Sequence, residues 1–160
     1  MINISFMFPA AAQSSLGQAV VSSQWLGEWT VLWKNTVGDK FVGNSRISQP
    51  LDDTLLKEEL KVGDEGAWEG WEGTNLAKFN ARNRTWHYAC QDNRGGYCDF
   101  IGQFDNRTFS LQFVDAQGVR VKQRMIVRSI NSKCISWDCE RYESNTKQWR
   151  RAWKIEYRRN

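Results

Sequence analysis

Apolar and polar residues alternate with a period of two along most of the chain between Trp29 and Arg159. In "TWHYACQD" (85–92), for example, large apolar side chains occupy every second position. Such alternation is typical of a β-strand that buries one face. Short runs rich in Gly, Asn, Asp and Ser separate the alternating segments, and these residues favour tight turns. The pattern therefore predicts a meander of about ten antiparallel strands.

The predicted strands account for most of the chain. They cover residues 28–35, 41–48, 54–62, 68–79, 85–92, 96–104, 107–115, 119–130, 133–143 and 149–159. An open sheet of this size would leave two exposed edges, and closure into a barrel removes them. We therefore predict an all-β fold, a single antiparallel up-and-down β-barrel. Residues 13–24 can form a short helix that covers one mouth. We place a flexible N-terminal segment at 1–12 and the barrel domain at 13–160.

The composition is that of a globular protein with one domain. The chain has 160 residues, of which 41% are hydrophobic and 25% are charged. No apolar run approaches the roughly 20 residues of a membrane-spanning helix, so no membrane partner is expected. The N-terminus has an apolar patch and small residues at Ala10–Ala12, as a secretory signal has. A secretory signal also requires positive charge at its start, but no Lys or Arg precedes Lys34. We expect a cytoplasmic protein, with secretion or a periplasmic location as the alternative.

Positive charge is concentrated in the last quarter of the chain. Residues 118–160 contain 12 basic and 4 acidic residues, although the whole chain has a net charge of only +4. A basic region with interleaved aromatic residues can attract nucleic acid. The alternative is that these charges occupy the solvent face of alternating strands. We favour the second interpretation and expect no nucleic acid partner.

The four cysteines and the single histidine do not form a metal-binding pattern, because there is no C-x-x-C pair. A hairpin with a loop at 93–95, and Gly95 in the left-handed conformation, places Cys90 opposite Cys98 and directs His87 to the other face. A catalytic Cys–His pair in this segment is therefore not expected. Free cysteines are the expectation, and a Cys90–Cys98 disulfide is the alternative in an oxidising compartment. No metal or other cofactor is expected.

A second hairpin, with a loop at 131–133, gives a specific register. It places Ser129 opposite Ile135 and Arg124 opposite Glu140. An Arg opposite a Glu in mid-strand can form a bidentate ion pair. The alternative is an exposed cross-strand pair that contributes little to stability.

Several segments together resemble an uncharacterised bacterial family. They are "WLGEW" (25–29), "LLKEEL" (55–60), "WEGTNLAKFNARNRTWHYACQD" (71–92), "QRMIVRSI" (123–130) and "SWDCERYESNTKQWRRAWKIEYRR" (136–159). The family is DUF1579, whose members are lipocalin-like, calycin-type barrels. The elements that match its pattern are Phe79-Asn80 with Trp86, Arg124, Trp137 with Glu140, Ser144, Trp149, Tyr157 and Arg158. The turn "SNTKQW" lacks the family's Gly-Gly. The resemblance covers about residues 24–159 and implies a fold rather than an activity.

The aromatic strands favour a barrel that binds an apolar, ring-containing small molecule in its interior. On strand 119–130 we expect Val119, Val121, Gln123, Met125 and Val127 to face inward. The predicted ligand-binding residues lie on the last two strands and are Trp137, Trp149, Arg151, Trp153 and Tyr157. An inward Arg151 would suit an anionic or carbonyl-bearing ligand. The alternative is that its guanidinium reaches water at the end of the barrel.

Two other functions are compatible with the same barrel. One is a cofactor-free enzyme, a cyclase or isomerase of an apolar intermediate that uses a cavity carboxylate or Tyr as acid or base. The candidate carboxylates are Glu59, Asp92, Asp99, Asp138 and Glu140. The other is an interaction module with a filled core. The sequence is compatible with a monomer or a homodimer.

Overall fold

The fold was analysed in a computed structural model that describes residues 25–51, 55–63, 68–80, 82–105, 108–114 and 120–159. These residues form ten strands. The strands are β1 (Gly27–Asn35), β2 (Lys40–Ser48), β3 (Leu55–Val62), β4 (Glu72–Asn80), β5 (Thr85–Asp92), β6 (Tyr97–Asp105), β7 (Thr108–Val114), β8 (Arg120–Ile130), β9 (Cys134–Glu143) and β10 (Gln148–Arg158). The expected helix at 13–24 and the flexible segment at 1–12 lie outside the described residues.

The strands close into one antiparallel up-and-down barrel, as the sequence predicts. Each strand pairs with the next along the chain, and β1 pairs with β10 to close the sheet. In this closing ladder Val31 lies opposite Tyr157 and Trp33 lies opposite Ile155. A closed ladder satisfies the backbone groups that an open sheet would leave at its two edges.

The core occupies the inside of the barrel, because every second residue of each strand points inward. On β2, for example, Phe41, Gly43, Ser45 and Ile47 are buried and the residues between them are exposed. Most inward side chains are aromatic or aliphatic. They include Trp29, Val31, Trp33, Leu56, Leu60, Tyr88, Phe100, Phe109, Met125, Trp137, Ile155 and Tyr157.

Aromatic residues close the barrel at the end that holds the β1–β2 turn. The rings of Trp33 and Phe41 stack with centroids 5.3 Å apart, and Trp68 packs against both. The sequence predicts a strand over 68–79, but residues 68–70 form a turn and β4 begins at Glu72. Trp71 folds over Gly73, where an added Cβ would overlap its ring.

At the opposite end, residues just before β1 contact residues just after β10. The Trp29 indole donates to the backbone carbonyl of Trp25 over 2.8 Å. The Arg159 guanidinium stacks on the Trp29 ring at 4.3 Å and donates to the Leu26 carbonyl over 2.7 Å. The Trp25 ring reaches inward to contact Trp137.

The β5–β6 hairpin has the predicted register. Cys90 lies opposite Cys98 and Tyr88 opposite Phe100, and Gly95 has a φ of 81°. His87 is exposed on the outer face, away from Cys90. The expectation of free cysteines is wrong for this pair, because Cys90 and Cys98 form a disulfide with Cα atoms 5.2 Å apart.

The β8–β9 hairpin follows the prediction over most of its length. Arg124 lies opposite Glu140, and Gln123, Met125 and Val127 are buried, as expected. Val121 is half-buried, and Val119 lies outside the described residues. The ladder is irregular between Val127 and Ser129, so that Ser129 faces Ser136 and not Ile135. Such a bulge places two residues of one strand against one of its partner and leaves the pairs before it unchanged.

A second bulge, in β10, changes which residues face the interior. Arg151 lies opposite Glu140 and Trp153 lies opposite Cys139, so Ala152 is the extra residue. Trp153 is buried inside, whereas Arg151 is exposed. The extra residue reverses the alternation. The predicted ligand-binding residues of β9 and β10 were all expected to face inward. This expectation is wrong for Trp149 and Arg151, which precede the bulge.

Candidate functional site

A single carboxyl group lies inside the barrel among the described residues, that of Glu58 on β3. Its side chain is fully buried, with 0% of its surface exposed. Alternation along β3 explains the position, since Leu56 and Leu60 lie on the same face and are also buried. Glu58 pairs with Asn75 of β4 in the sheet.

Two neutral side chains hold this carboxyl group in place. The Ser45 hydroxyl donates to Oε1 over 2.6 Å, and the Asn75 amide donates to Oε2 over 2.9 Å. Burial raises the pKa of Glu58, and these hydrogen bonds offset only part of the increase. No Lys or Arg of the described residues forms an ion pair with it.

Two tyrosine hydroxyls lie near the carboxyl group. Tyr157 of β10 and Tyr88 of β5 are both buried. Burial raises the pKa of both well above the usual range, and the adjacent Glu58 raises it further. The Tyr157 hydroxyl is close enough to Glu58 to lower the pKa of its carboxyl group slightly. By distance and angle, however, neither tyrosine hydroxyl forms a hydrogen bond within the described chain.

Indole N–H groups extend this set of polar atoms. The Trp137 ring lies 6.3 Å from the Tyr157 ring, and its buried Nε1 has no hydrogen-bond partner in the part of the chain that the structure describes. The same holds for Nε1 of Trp33, nearer the aromatic end. Buried polar atoms are usually paired, so a group of unpaired ones calls for an explanation such as a water or ligand.

A further buried polar side chain, Gln123, lies on the β8 wall. It contacts the Cys139 thiol, whose pKa is raised by burial. The interior therefore combines a carboxyl, hydroxyl, amide and thiol group within an aromatic wall.

None of the carboxylates predicted as catalytic lies in this interior. Glu59 points outward and bonds Lys57 at 2.9 Å, and Asp99 is exposed. Asp92 accepts from the backbone N–H of Gly96 over 2.7 Å and so caps the β5–β6 turn. On the outer face, Asp138 pairs with Arg128 at 2.9 Å and Glu140 with Arg124 at 2.6 Å. Asp92 therefore stabilises a turn, and Asp138 and Glu140 form cross-strand ion pairs. None of the five predicted carboxylates lies in the interior beside Glu58, so the prediction of a cavity role for them is wrong in its placement.

Three of the predicted ligand-binding residues do line the interior. Trp137, Trp153 and Tyr157 are all buried. Trp149 lies on the outer face, where its ring packs against Tyr142 at 5.4 Å. Arg151 is also outside, so the described part of the interior offers a ligand a carboxyl group and not a guanidinium group.

Sequence reasoning missed Glu58, although the sequence contains a signal for it. In "LLKEEL" (55–60), Glu58 is two residues from both Leu56 and Leu60, whereas Glu59 shares its face with Lys57. Period-two alternation assigns Glu58 to the apolar face. The same alternation places Tyr88 on the inner face of β5, but nothing in the sequence connects it to Glu58.

An open groove of about 1120 Å³ runs along β3 to β8, and its lining includes Tyr88, Phe100 and Gln123 of the inner face. The lining also includes His87, Asp99 and Ile101, which point away from the interior, together with Lys122 and Trp149. Among the described residues, no group of three or more His, Cys, Asp or Glu is arranged to hold a metal ion. The described residues also include no helix long and apolar enough to cross a membrane.

A scan against models of known protein families found no match, and a search of curated proteins found none either. Among solved structures, the chain is similar to designed barrels. A redesigned beta barrel, b11L5F_LGL, is 12% identical with a TM-score of 0.48, over 89% of this chain and 96% of that one. A de novo designed fluorescence-activating beta barrel is 15% identical with a TM-score of 0.47, over 88% and 97% of the two chains. The barrel mFAP0, bound to DFHBI, is 13% identical with a TM-score of 0.46, over 86% and 100%.

None of these TM-scores reaches 0.5, so the alignments carry no argument about ligands. The barrel assignment depends on the strand pairing of this chain itself. The resemblance to the DUF1579 family and the cytoplasmic location stay predictions.

Proposed function

We propose that the protein binds a small, apolar, ring-containing molecule inside the barrel, against Glu58, Tyr88, Trp137 and Tyr157. One observation carries this proposal. Buried polar atoms without partners among the described residues gather around one buried carboxyl group in an interior lined with aromatic rings. Ligand sites usually combine an apolar lining with a few convergent polar groups of this kind.

The energetic cost of the arrangement supports a ligand. A buried donor or acceptor without a partner costs about 1–3 kcal/mol. The hydroxyl of Tyr88 and the indole N–H of Trp137 each carry this cost within the described residues. A core selected only for stability would place apolar side chains at such positions, whereas a bound molecule with polar atoms would satisfy them.

Native mass spectrometry of the full chain from its host, followed by tryptophan fluorescence with a panel of apolar ring compounds, tests the proposal. We expect a bound small molecule and a fluorescence change at micromolar concentration. Trp137→Phe or Trp153→Ala should weaken binding. Trp149→Phe, on the outer face, is the matched control and should bind as the wild type does. If no compound changes either the fluorescence or the melting temperature, the filled-core interaction module is the better interpretation.

The position of Glu58 favours an enzyme as the second candidate function. Burial raises the pKa of this carboxyl group, and a raised pKa is typical of a carboxylic acid that donates a proton in catalysis. A cofactor-free cyclase or isomerase would use Glu58 with Tyr157 beside it. Incubating the co-purified molecule with fresh protein and analysing the products tests this. Glu58→Gln should abolish this conversion, whereas Glu59→Gln, on the outer face, should not.

A further inference from the structure

We infer that the molecule held in the barrel carries a basic nitrogen, and that its cation pairs with the Glu58 carboxylate. This inference rests on the proposed function, since it names the chemical class of the ligand at the same site.

The geometry around the carboxyl group supports this inference. The Ser45 hydroxyl and the Asn75 amide nitrogen act as donors, one to each oxygen, and the Tyr157 hydroxyl lies beside the same group. A carboxylate has about four acceptor positions, so each oxygen can still accept another donor. Two hydrogen-bond donors directed at the carboxyl oxygens favour the ionised carboxylate. This carboxylate has hydrogen-bond partners but no cationic partner among the described residues.

Among the described residues, the strands around Glu58 supply no positive charge to its carboxyl group. The inward residues of β2 and β4 beside Glu58 are uncharged: Ser45, Ile47, Asn75 and Ala77. The ionisable groups that face it from other strands are Tyr88 and Tyr157. On β3 itself, Lys57 points outward and pairs with Glu59. An ionised carboxylate in this position is costly unless a cation joins it.

The aromatic surface near the carboxyl group supports the same inference. The Tyr157 ring packs edge to face against the rings of Trp137 and Trp29. The ring centroids are 6.3 Å and 6.4 Å apart, respectively. Aromatic faces attract an organic cation, and the attraction is stronger where water is excluded. A carboxylate with aromatic rings beside it therefore fits a ring-bearing amine better than a carboxylic acid or a neutral hydrocarbon.

Binding of such a ligand would be coupled to a proton. Burial raises the pKa of Glu58 in the empty site, which favours the protonated acid. When an ammonium ion enters, the carboxyl proton leaves to solvent and the carboxylate pairs with the ammonium group. One cation replaces one proton, so charge balances, and no covalent bond forms between ligand and protein.

Two pairs of probes test the assignment. Tryptamine and tryptophol differ only in a terminal amine or hydroxyl group, and phenethylamine and 2-phenylethanol form a second pair. Calorimetric titration of the full chain in two buffers of different ionisation enthalpy gives both affinity and protons released. We expect the amine of each pair to bind at least about tenfold more tightly than its alcohol, with proton release for the amine only.

Variants of two adjacent glutamates provide the control. Glu58→Gln should remove both the preference and the proton release, whereas Glu59→Gln, on the opposite face, should keep both. Proton release by the wild type tests the inference even if Glu58→Gln does not fold. Equal affinity or equal proton release for amine and alcohol overturns the inference but leaves the proposed function standing. A preference that persists in folded Glu58→Gln also overturns it. If neither pair binds, the inference fails, whereas the proposed function fails only if the wider panel of ring compounds also shows no binding.

Discussion

Glu58 and Glu59 are consecutive residues of the same type with opposite environments. Burial raises the pKa of Glu58. The pKa of Glu59 is lowered, chiefly by its hydrogen bond with Lys57 on the exposed face. The alternation of a strand therefore gives one glutamate a place in the interior and the other a surface ion pair. At the scale of single residues, the chemistry of the candidate site depends on this difference.

The first prediction concerns the pH dependence of stability in the empty protein. Because the folded-state pKa of Glu58 is raised above its ordinary value of 4.5, the unfolded chain ionises first as pH rises. The contribution of Glu58 is therefore fully present below this ordinary value and is lost as pH rises through the folded pKa. Glu58→Gln should remove that loss, so the stability difference between wild type and variant should shift in favour of the variant as pH increases.

Urea unfolding at a series of pH values measures this difference. Glu59→Gln is the control, and it should not remove the loss. A parallel pH dependence of stability in wild type and Glu58→Gln would mean that Glu58 titrates normally in the folded protein.

The second prediction concerns Trp149, which packs on the outer wall. The Arg124 guanidinium lies 4.4 Å from its ring and bonds the Glu140 carboxylate. Trp149→Ala should lower the free energy of unfolding by about 0.5–1 kcal/mol, the usual value of an exposed cation–π contact. Ligand affinity, measured by fluorescence of the interior tryptophans, should not change. If Trp149→Ala weakens ligand binding without lowering stability, Trp149 belongs to the ligand site and the prediction is wrong.

At the scale of elements, alternation and turn chemistry predicted the strands and most of the registers. The β5–β6 pairing followed from the position of Gly95 in its turn. The inner face of β10 was predicted wrongly before Ala152, because a bulge inserts a residue without changing the alternating pattern. The orientation of Trp149 depends on the pairing of β10 with β9, which the sequence of β10 alone does not determine.

The candidate site was predicted only in part. Trp137, Trp153 and Tyr157 were expected inside, and they are. Glu58 was not predicted, because Glu usually prefers solvent and the candidate carboxylates included its exposed neighbour Glu59 instead. Alternation alone places Glu58 on the same face as Leu56 and Leu60.

The third prediction tests the close approach of β2 to β3. A Cβ added to Gly43 would lie 2.5 Å from the Lys61 carbonyl oxygen, which is fixed in the sheet. Gly43→Ala should therefore force the strands apart and cost about 1–3 kcal/mol. Gly63→Ala is the control, since the nearest atom to its Cβ would be 3.9 Å away. Equal urea midpoints for the two variants would show that the strands adjust without cost.

The fourth prediction concerns the disulfide across the β5–β6 hairpin. Its cysteines are 8 residues apart in sequence, and closure of so short a loop stabilises by about 2–3 kcal/mol in the chain-entropy description. Replacing Cys90 and Cys98 together by Ser should lower stability by this amount while the barrel still folds, since the register is also set by the turn. Thiol titration of the denatured wild type, unreduced, should detect only Cys134 and Cys139. Detection of four thiols would contradict the pairing.

At the scale of the whole molecule, the barrel exists only because its first and last strands meet. β1 and β10 pair over residues 30–35 and 153–158, and the bulge in β10 lies just before this ladder. Tyr157 belongs to the ladder and also approaches Glu58 from across the interior. Closure of the barrel and assembly of the candidate site therefore depend on the same strand.

Arg159 is the residue that joins the two ends of the barrel sheet most directly. Its guanidinium stacks on Trp29 and bonds the Leu26 carbonyl, and its backbone N–H donates to the Lys133 carbonyl over 3.0 Å. Arg159→Ala removes the stacking and one charge-assisted hydrogen bond, so it should cost about 1–3 kcal/mol. It should also increase hydrogen exchange of β1 amides and weaken ligand binding.

The neighbouring Arg158 is the matched control. Its side chain is exposed and bonds Glu156 on the outer face at 2.6 Å, and exposed ion pairs contribute little. Arg158→Ala should therefore stay within about 0.5 kcal/mol of the wild type and bind ligand as the wild type does. If the two variants lose the same stability, the contacts of Arg159 with Trp29 and Leu26 do not hold the barrel closed. The ladder between β1 and β10 would then be sufficient for closure.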